Sequence, residues 1–381
     1  MAERKATDEQ IVEAYVNARG IQSRAAKALK LGYRTFQNRF AQLAGRGIEI
    51  PQITPAFAPP AGFNTKATST LHGPDGEVRL QWVKSDIAGH TPEEWTEHIK
   101  AAFADVRPIK PIAAPRRVNS RLLTVYPIGD MHVAMYAWAE EVGADYDIKI
   151  ADRLLSSAAA HLVEVSPASD TALIIDVGDF LHVDSAIRNE TVRSGNSLDV
   201  DTRYAAMIRA GVKMLRTVIE CALAKHKNVK VICTPGNHND LGALWLSLSM
   251  SLLYERNPRV QIETKPGKFH YHQHGKCLIG VTHGDTGKPE KLQGVMAADV
   301  PDLWGATQFR YWITGHIHTR KVLEFPGVMW ETFRTLAPGD AWSNAAGYRS
   351  GRDMTAIVMD SEHGEIARHR FDVSMFDAVS V

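Results

Sequence analysis

Five short polar clusters stand out in the middle of the 381-residue chain: Gly129-Asp130-Met131-His132, Gly178-Asp179, Gly236-Asn237-His238, His283-Gly284-Asp285 and Gly315-His316-Ile317-His318. Their residue types suit metal chemistry. An aspartate supplies a hard oxygen able to bridge two cations, and a neutral imidazole is the commonest nitrogen ligand. Mixed Asp/His/Asn ligation without thiolate fits Mn, Fe, Zn or Co better than Ca or Mg. Two such ions about 3.5–4 Å apart generate a hydroxide nucleophile at neutral pH and stabilise both oxygens of an in-line displacement. The Asp-x-His and His-x-His spacings set two ligands close together where a strand opens into a loop, and glycine beside each cluster lets the backbone turn tightly.

Such clusters need elements that bring them together. Each directly follows an apolar run: RLLTVYPI, TALIIDV, VKVICT, KCLIGVT and RYWIT. Amphipathic helices are expected near 147–165, 200–227 and 240–256, and further strands after 320 in GVMWETFRTL, MTAIVMD and EIARHRFDV. Short apolar strands alternating with helices predict an α/β domain with both sheet faces covered. In open α/β sheets ligand sites form beyond the carboxyl ends of strands, so five clusters delivered there converge on one place.

Upstream, residues 7–45 read as three short helices, TDEQIVEAYVNAR, IQSRAAKALK and YRTFQNRFAQLAGR. Thr7 is the expected N-cap of the first; Ile11, Tyr15 and Val16 form its apolar face, and Gly20 ends it. A small-residue helix, a turn at Gly32 and a following amphipathic helix predict a helix-turn-helix. Residues 1–50 are locally basic, with nine Lys/Arg against five Asp/Glu. Residues 51–62 hold four prolines and no charge and read as an extended linker. STLHGPDGEVRLQWVK reads as a β-hairpin turning at 73–76, PEEWTEHIKAAFADV as a short helix, and 107–117 as a second linker. The expected domains are therefore 1–50, 51–120 and 121–381.

Composition sets outer bounds. Hydrophobic residues at 44% and charged residues at 23% are ordinary globular usage, and a net charge of +1 confines any polyanion-binding surface to a local patch. The polar start has no signal-peptide core and no apolar run approaches the roughly 20 residues of a membrane span. A cytoplasmic protein with no membrane partner is expected. Cys221, Cys233 and Cys277 lie in apolar or strand-like surroundings and read as reduced core thiols.

In their order, DMH, GDF, GNHN, HGD and GHIH resemble the calcineurin-like metallophosphoesterase superfamily over roughly residues 121–320. The resemblance implies a four-layer α/β sandwich with two central mixed β-sheets. It implies that Asp130, His132 and His318 hold one divalent ion and that Asn237, His283 and His316 hold the other. Asp179 bridges the two, and manganese is the first choice of metal. His238 would stay off the metals and act as general acid toward the leaving oxygen after attack by metal-bound hydroxide. Two departures stand out. Members usually carry an acid directly after Gly-Asn-His, whereas Asn239 stands here and Asp240 follows, so His238 must be oriented by Asp240 or by another group. The second motif reads GDFLH, and this Gly-Asp-x-x-His form, with His182, looks like the exonuclease subunit of double-strand-break repair complexes. The segment AAKALKLGYRTFQNRF resembles the helix-turn-helix of factor-for-inversion-stimulation proteins. That places Arg34, Gln37, Asn38 and Arg39 at DNA base edges or phosphates, with Arg24, Lys27 and Lys30 along the backbone. A small DNA-binding head on such a core also looks like proteins of phages and prophages.

Together these readings lead to a nuclease that hydrolyses DNA phosphodiesters, with DNA as partner and a homodimer as the expected assembly. Arg188, Arg193 and Lys288 are loop cations for flanking phosphates. The alternatives are a small-molecule or nucleotide phosphoesterase with a regulatory head, and a DNA-binding protein with a vestigial site. Other polar residues read as structural. Asp176 is a scaffold residue; Asp184, Asp199, Asp201 and Arg203 are loop and cap chemistry; His270, His272 and His274 form a solvent-facing strand edge. Trp304, Trp312, Trp330 and Trp342 read as core or rim, with a base-stacking platform as the alternative for any one of them.

Overall fold

The structure, a computed structural model, describes residues 6–18, 21–43, 46, 48, 63–72, 78–87, 111–192 and 194–376. Gly20, the 51–62 linker, the 73–76 turn, the helix expected at 92–106, residues 107–110 of the second linker and Arg193 lie outside them. The chain divides into two compact units, 1–95 and 96–381.

The first unit opens with three helices, α1 (Asp8–Asn17), α2 (Gln22–Ala28) and α3 (Tyr33–Leu43). Thr7 caps α1 through a capping box: its hydroxyl accepts from Gln10 N–H at 3.2 Å, and its own N–H donates to the Gln10 side chain at 2.8 Å. Ile11, Ala14, Ala25, Ala26, Phe36 and Leu43 make the small core. Val16 points outward, contrary to expectation, because Ala14 and Ala18 complete the buried stripe on the opposite side of the helix from it. The turn between α2 and α3 is made by Lys30 in the left-handed region (φ 51°), with Leu31 N–H closing back onto the Ala26 carbonyl at 2.9 Å. Gly32, the expected turn residue, is not left-handed. Strands β1 (Phe63–His72) and β2 (Val78–Ile87) pair antiparallel from Phe63 opposite Ile87 to His72 opposite Val78, a longer hairpin than expected.

The second unit is α/β with two mixed sheets. One sheet contains β3 (Asn119–Ile128), β4 (Ser169–Asp176), β5 (Asn228–Cys233), β6 (Val260–Glu263), β12 (Asp353–Asp360) and β13 (Gly364–Asp372), in the order β13-β12-β3-β4-β5-β6. The other contains β7 (His270–His274), β8 (Cys277–Val281), β9 (Phe309–Thr314), β10 (Lys321–Phe325) and β11 (Val328–Thr332), ordered β10-β11-β9-β8-β7. Strands β3 to β6 run parallel in sequence order. Right-handed crossovers taken always in the same direction deposit every connecting helix on one face and leave the other free. Those helices are α5 (Ile148–Val165), α6 (Tyr204–Lys225) and α7 (Asp240–Tyr254), and the second sheet covers the free face.

Strand periodicity shows why the apolar runs are nearly continuous. Along β3, Leu123 and Val125 pack between the sheets with Ile175, Ile279 and Ile313, while Tyr126 and Ile128 pack under Leu154, Leu162 and Leu215 of the helices. The outer face of the second sheet is closed by α8 (Pro289–Asp299) and α9 (Pro301–Ala306), where Leu292 and Met296 meet Trp312 and Trp330. This is the four-layer order of helices, sheet, sheet, helices. Two short helices, α4 (Ala139–Val142) and α10 (Ala341–Ala345), complete the unit and had no counterpart in the sequence reading. Helix α6 starts at Tyr204 rather than near 200, since Asp201 is held in the loop by accepting Ile148 N–H at the start of α5 (2.6 Å). Among the described residues no helix is long and apolar enough to cross a membrane, and the three cysteines are free, Cys233 and Cys277 buried.

Candidate metal centre

The clusters follow β3, β4, β5, β8 and β9, the parallel strands of both sheets, so their loops meet at one end of the sandwich. Among the described residues, beside an all-histidine group of His132, His182 and His238, two carboxylate-bearing trios able to hold a metal ion result, Asp130/His132/His318 and Asp179/His283/His316. Four of these six residues have positive φ: His132 (45°), Asp179 (53°), His316 (71°) and His318 (51°). Left-handed backbone costs a non-glycine residue on the order of 1 kcal/mol or more, and persists where surrounding bonds over-determine it. Here His132 N–H donates to the Asp179 carbonyl at 2.9 Å and His316 N–H donates to the Asp130 carboxylate at 3.0 Å.

Glycine beside the clusters serves mainly closeness, not turning. A Cβ on Gly236 would overlap the Asp179 carboxylate, and one on Gly315 would overlap that of Asp130. Gly178 needs both, with φ +102° and the His283 ring against it.

The donor set fits a cation. His283 places Nδ1 3.0 Å from the Val177 carbonyl, so that nitrogen donates and Nε2 is left as a lone pair. Nε2 in turn lies 3.0 Å from Asn237 Oδ1 and 3.1 Å from Asp179 Oδ2. Three electron-rich atoms facing one another with no proton among them require positive charge. Burial lowers the His283 pKa, but Asp179 and Asp130 outweigh it and push it up to about 10: without an ion a proton on Nε2 supplies that positive charge, and a bound cation would take its place. The other trio is arranged similarly. Asp130 Oδ1 lies 3.4 Å from His318 Nε2, and His132 Nε2 lies 3.2 Å from the same atom. Burial, then the neighbouring imidazoles, hold His132 well below the usual histidine range and so neutral, as a ligand must be.

His182 is the residue whose role tertiary structure reveals. It is buried, and its Nδ1 lies 3.2 Å from His132 Nδ1. Burial, then His238, push it down to about 3, so two neutral rings share one proton and His132 presents Nε2 inward. Its backbone carbonyl also accepts from His238 Nδ1 at 2.9 Å. Of the two kinds of orienting partner expected for His238, Asp240 or another group, the structure places the His182 carbonyl at its Nδ1, while Asp240 opens α7 and lies 3.8 Å from Lys268. His238 N–H further donates to Asp179 Oδ1 at 2.8 Å. Asn239, at the position usually acidic, is fully buried and accepts from the N–H groups of Asp179 and Gly236, pinning two clusters together.

The surrounding polar run is scaffold. Asp184 accepts from Leu241 and Gly242 N–H (2.6 and 2.8 Å) and so caps α7. Asp176 is buried, its pKa pushed up to about 8 by burial, and it accepts from Gly178 N–H at 2.9 Å, bracing the turn that carries Asp179. His270 is buried in β7 rather than solvent-facing, and His274 bonds the Arg121 carbonyl at 2.8 Å. Trp312 and Trp330 are core, and Trp304 stacks on Arg310 at 4.2 Å.

The trios open into a cleft of about 610 Å³ lined by His132, Asp179, Asn237, His238, His316 and His318. Its far wall comes from residues 335–352, including Trp342, Tyr348, Arg349 and Arg352. Arg188 and Lys288, the loop cations expected at phosphates, are exposed but do not line it. In the first unit, Arg34, Gln37 and Asn38 are exposed on α3, whereas Arg39 is turned inward to the Ala6 carbonyl and Asp8 (3.7 Å). It ties α3 to α1 instead of joining the expected DNA surface.

No family model matches the chain, and no curated protein matches it. Solved structures do. Vacuolar Protein Sorting 29 from Cryptosporidium parvum is 15% identical, over 66% of this chain and 100% of that one, with TM-score 0.33. A 5'-nucleotidase from Candida albicans is 9% identical, over 70% of this chain and 54% of that one, with TM-score 0.32. The phosphopantetheinyl hydrolase of Mycobacterium tuberculosis is 12% identical, over 61% of this chain and 94% of that one, with TM-score 0.27. Similarity at this level transfers no chemistry, which rests on the residues of this chain.

Proposed function

We propose that this protein is a two-metal phosphodiesterase of the calcineurin-like kind, acting on DNA as a nuclease. The observation that carries the reading is the convergence of seven ligand-type side chains from five strand ends, with one further histidine, His238, on the cleft beside them. Asp130, His132 and His318 would hold one ion, and Asn237, His283 and His316 the other, with Asp179 between. When bound, two divalent ions, manganese by preference, supply Lewis-acid activation of water and neutralise charge on the phosphate.

The chain's own groups do the rest. His238 stands beside His132, ring centroids 4.7 Å apart. Nδ1–H is committed to the His182 carbonyl, so Nε2 is the nitrogen left for catalysis; the imidazolium would give its Nε2 proton to the departing sugar oxygen and return to the neutral ring. The locally basic helical head, with Arg34, Gln37 and Asn38 exposed on α3, supports DNA as the partner.

The test is cleavage of end-labelled linear DNA, single- and double-stranded, by the Mn²⁺-loaded chain beside His238→Ala. Loss of a general acid costs about 10²- to 10⁴-fold in rate. Cleavage reduced on that scale, with metal content unchanged, supports the nuclease. Absence of DNA cleavage while a small phosphodiester is still hydrolysed would turn the reading toward nucleotides or other small esters.

A further inference from the structure

The far wall of the cleft holds two large aromatic side chains that the proposed chemistry does not use. Trp342 is 63% exposed and Tyr348 62%, although both line the same cavity as His316 and His318. Their ring centroids are 5.9 Å apart at 35°. Large apolar surface left open to water inside a ligand cleft marks a place where something else covers it.

The pair is also held in place. Asp340 caps α10, its Oδ1 accepting from Ser343 N–H at 2.8 Å. Gly347, at φ +82°, reverses the chain after α10, and Tyr348 N–H closes onto the Ser343 carbonyl at 3.0 Å, which brings the tyrosine back beside the tryptophan. The Asn344 amide donates to the Glu141 carbonyl at 2.7 Å. Ser350 and Thr319 share a hydroxyl–hydroxyl bond of 2.6 Å, fastening this wall one residue beyond the ligand His318.

We propose that Trp342 and Tyr348 form a stacking ledge for an unpaired nucleobase of the substrate, next to the phosphate held at the metal centre. The inference rests on the phosphoesterase reading of that centre. Aromatic faces stack any base and tolerate sequence, which suits a hydrolase of general nucleotide substrates. Sandwiching a base needs parallel rings roughly 6.8 Å apart, twice the ~3.4 Å rise of stacked bases. The observed spacing and tilt exclude that and leave a two-ring ledge for one base. A paired base has both faces covered by its neighbours, so the ledge selects single-stranded ends or free nucleotides.

The test measures binding. The Mn²⁺-loaded full chain is titrated with dAMP and, separately, with deoxyribose 5-phosphate, for wild type, Trp342→Ala/Tyr348→Ala and Trp342→Phe. Stacking of one base is worth roughly ten-fold or more in affinity. The wild type should bind dAMP that much tighter than the sugar phosphate; the double variant should bind both alike; Trp342→Phe should restore most of the difference. Both side chains are exposed, so melting temperature and Mn²⁺ affinity should not change. Equal affinities in the wild type overturn the ledge while leaving phosphate recognition intact. Failure of both phosphates to bind the loaded chain overturns the phosphoesterase reading, and the ledge with it. A 5′-phosphorylated single strand with phosphorothioate linkages, with and without a terminal abasic site, separates the two sources. A base effect larger on the strand than with dAMP assigns the ledge to nucleic-acid ends, and one of equal size assigns it to any nucleotide unit.

Discussion

At the scale of single residues, histidines divide by what their second nitrogen meets. His283 and His132 each commit one nitrogen to a buried partner and turn the other inward, whereas His226 commits both within the core. His226 is fully buried, with Nε2 2.8 Å from the Tyr126 hydroxyl and Nδ1 2.6 Å from that of Ser169. Burial, then Lys225, push its pKa down to about 4. An unfolded histidine titrates near 6.5. Above that pH both states are neutral and the buried contacts count in full. Below it the unfolded chain takes up a proton that the folded chain refuses until about pH 4, so stability falls by about 1.4 kcal/mol per unit across that window. His226→Gln removes the titration. The stability difference between wild type and this variant, from urea midpoints at pH 7.5 and 4.5, should shrink toward acid. An unchanged difference would mean that His226 does not titrate this way.

At the scale of elements, the loops between strand and helix decide whether the ligands meet. Asp184 caps α7, and the residues immediately before that helix are Asn237, His238 and Asn239. Asp184→Ala should therefore cost about 1 kcal/mol in stability, as loss of a helix cap does, and lower turnover by shifting His238, with metal content retained. Thermal midpoint, turnover and metal analysis together check this. The glycines give a sharper contrast. At Gly236 an added Cβ collides with the Asp179 carboxylate and amide, while at Gly294, inside α8, it meets open space. Gly236→Ala should abolish metal loading, whereas Gly294→Ala should raise stability by about 0.5–1 kcal/mol, the usual gain in a helix interior. Normal metal content in Gly236→Ala would refute this account of the close approach.

At the scale of the whole molecule, the chain joins a small helical unit to a sandwich that carries the ligands, and the proposal gives them separable tasks. Deleting residues 1–50 should weaken DNA cleavage and flatten its dependence on salt, because phosphates neutralised by the head no longer release counterions. Hydrolysis of a small phosphodiester should not change. Cleavage and salt slope measured on both forms decide the matter: if truncation leaves DNA cleavage untouched, the head does not recruit substrate.

The sequence by itself determined the α/β class, most of the strands and the candidate ligand residues that the fold brings together, because each of those residues is chain-adjacent to a strand end. Strand end, glycine and ligand lie within a few residues of one another, so local pattern carries them. Thr7 as helix cap was legible for the same reason. Contacts between distant residues were not. Only the tertiary structure decided that the His182 carbonyl orients His238 across 56 residues, that Arg39 serves α1, and that His270 is buried. It also decided that residues 335–352 wall the cleft, since that segment has neither the periodicity nor the residue types that announce a site. A side chain's partner across a fold depends on where two sheets stack, and packing between layers leaves no spacing in the chain to read.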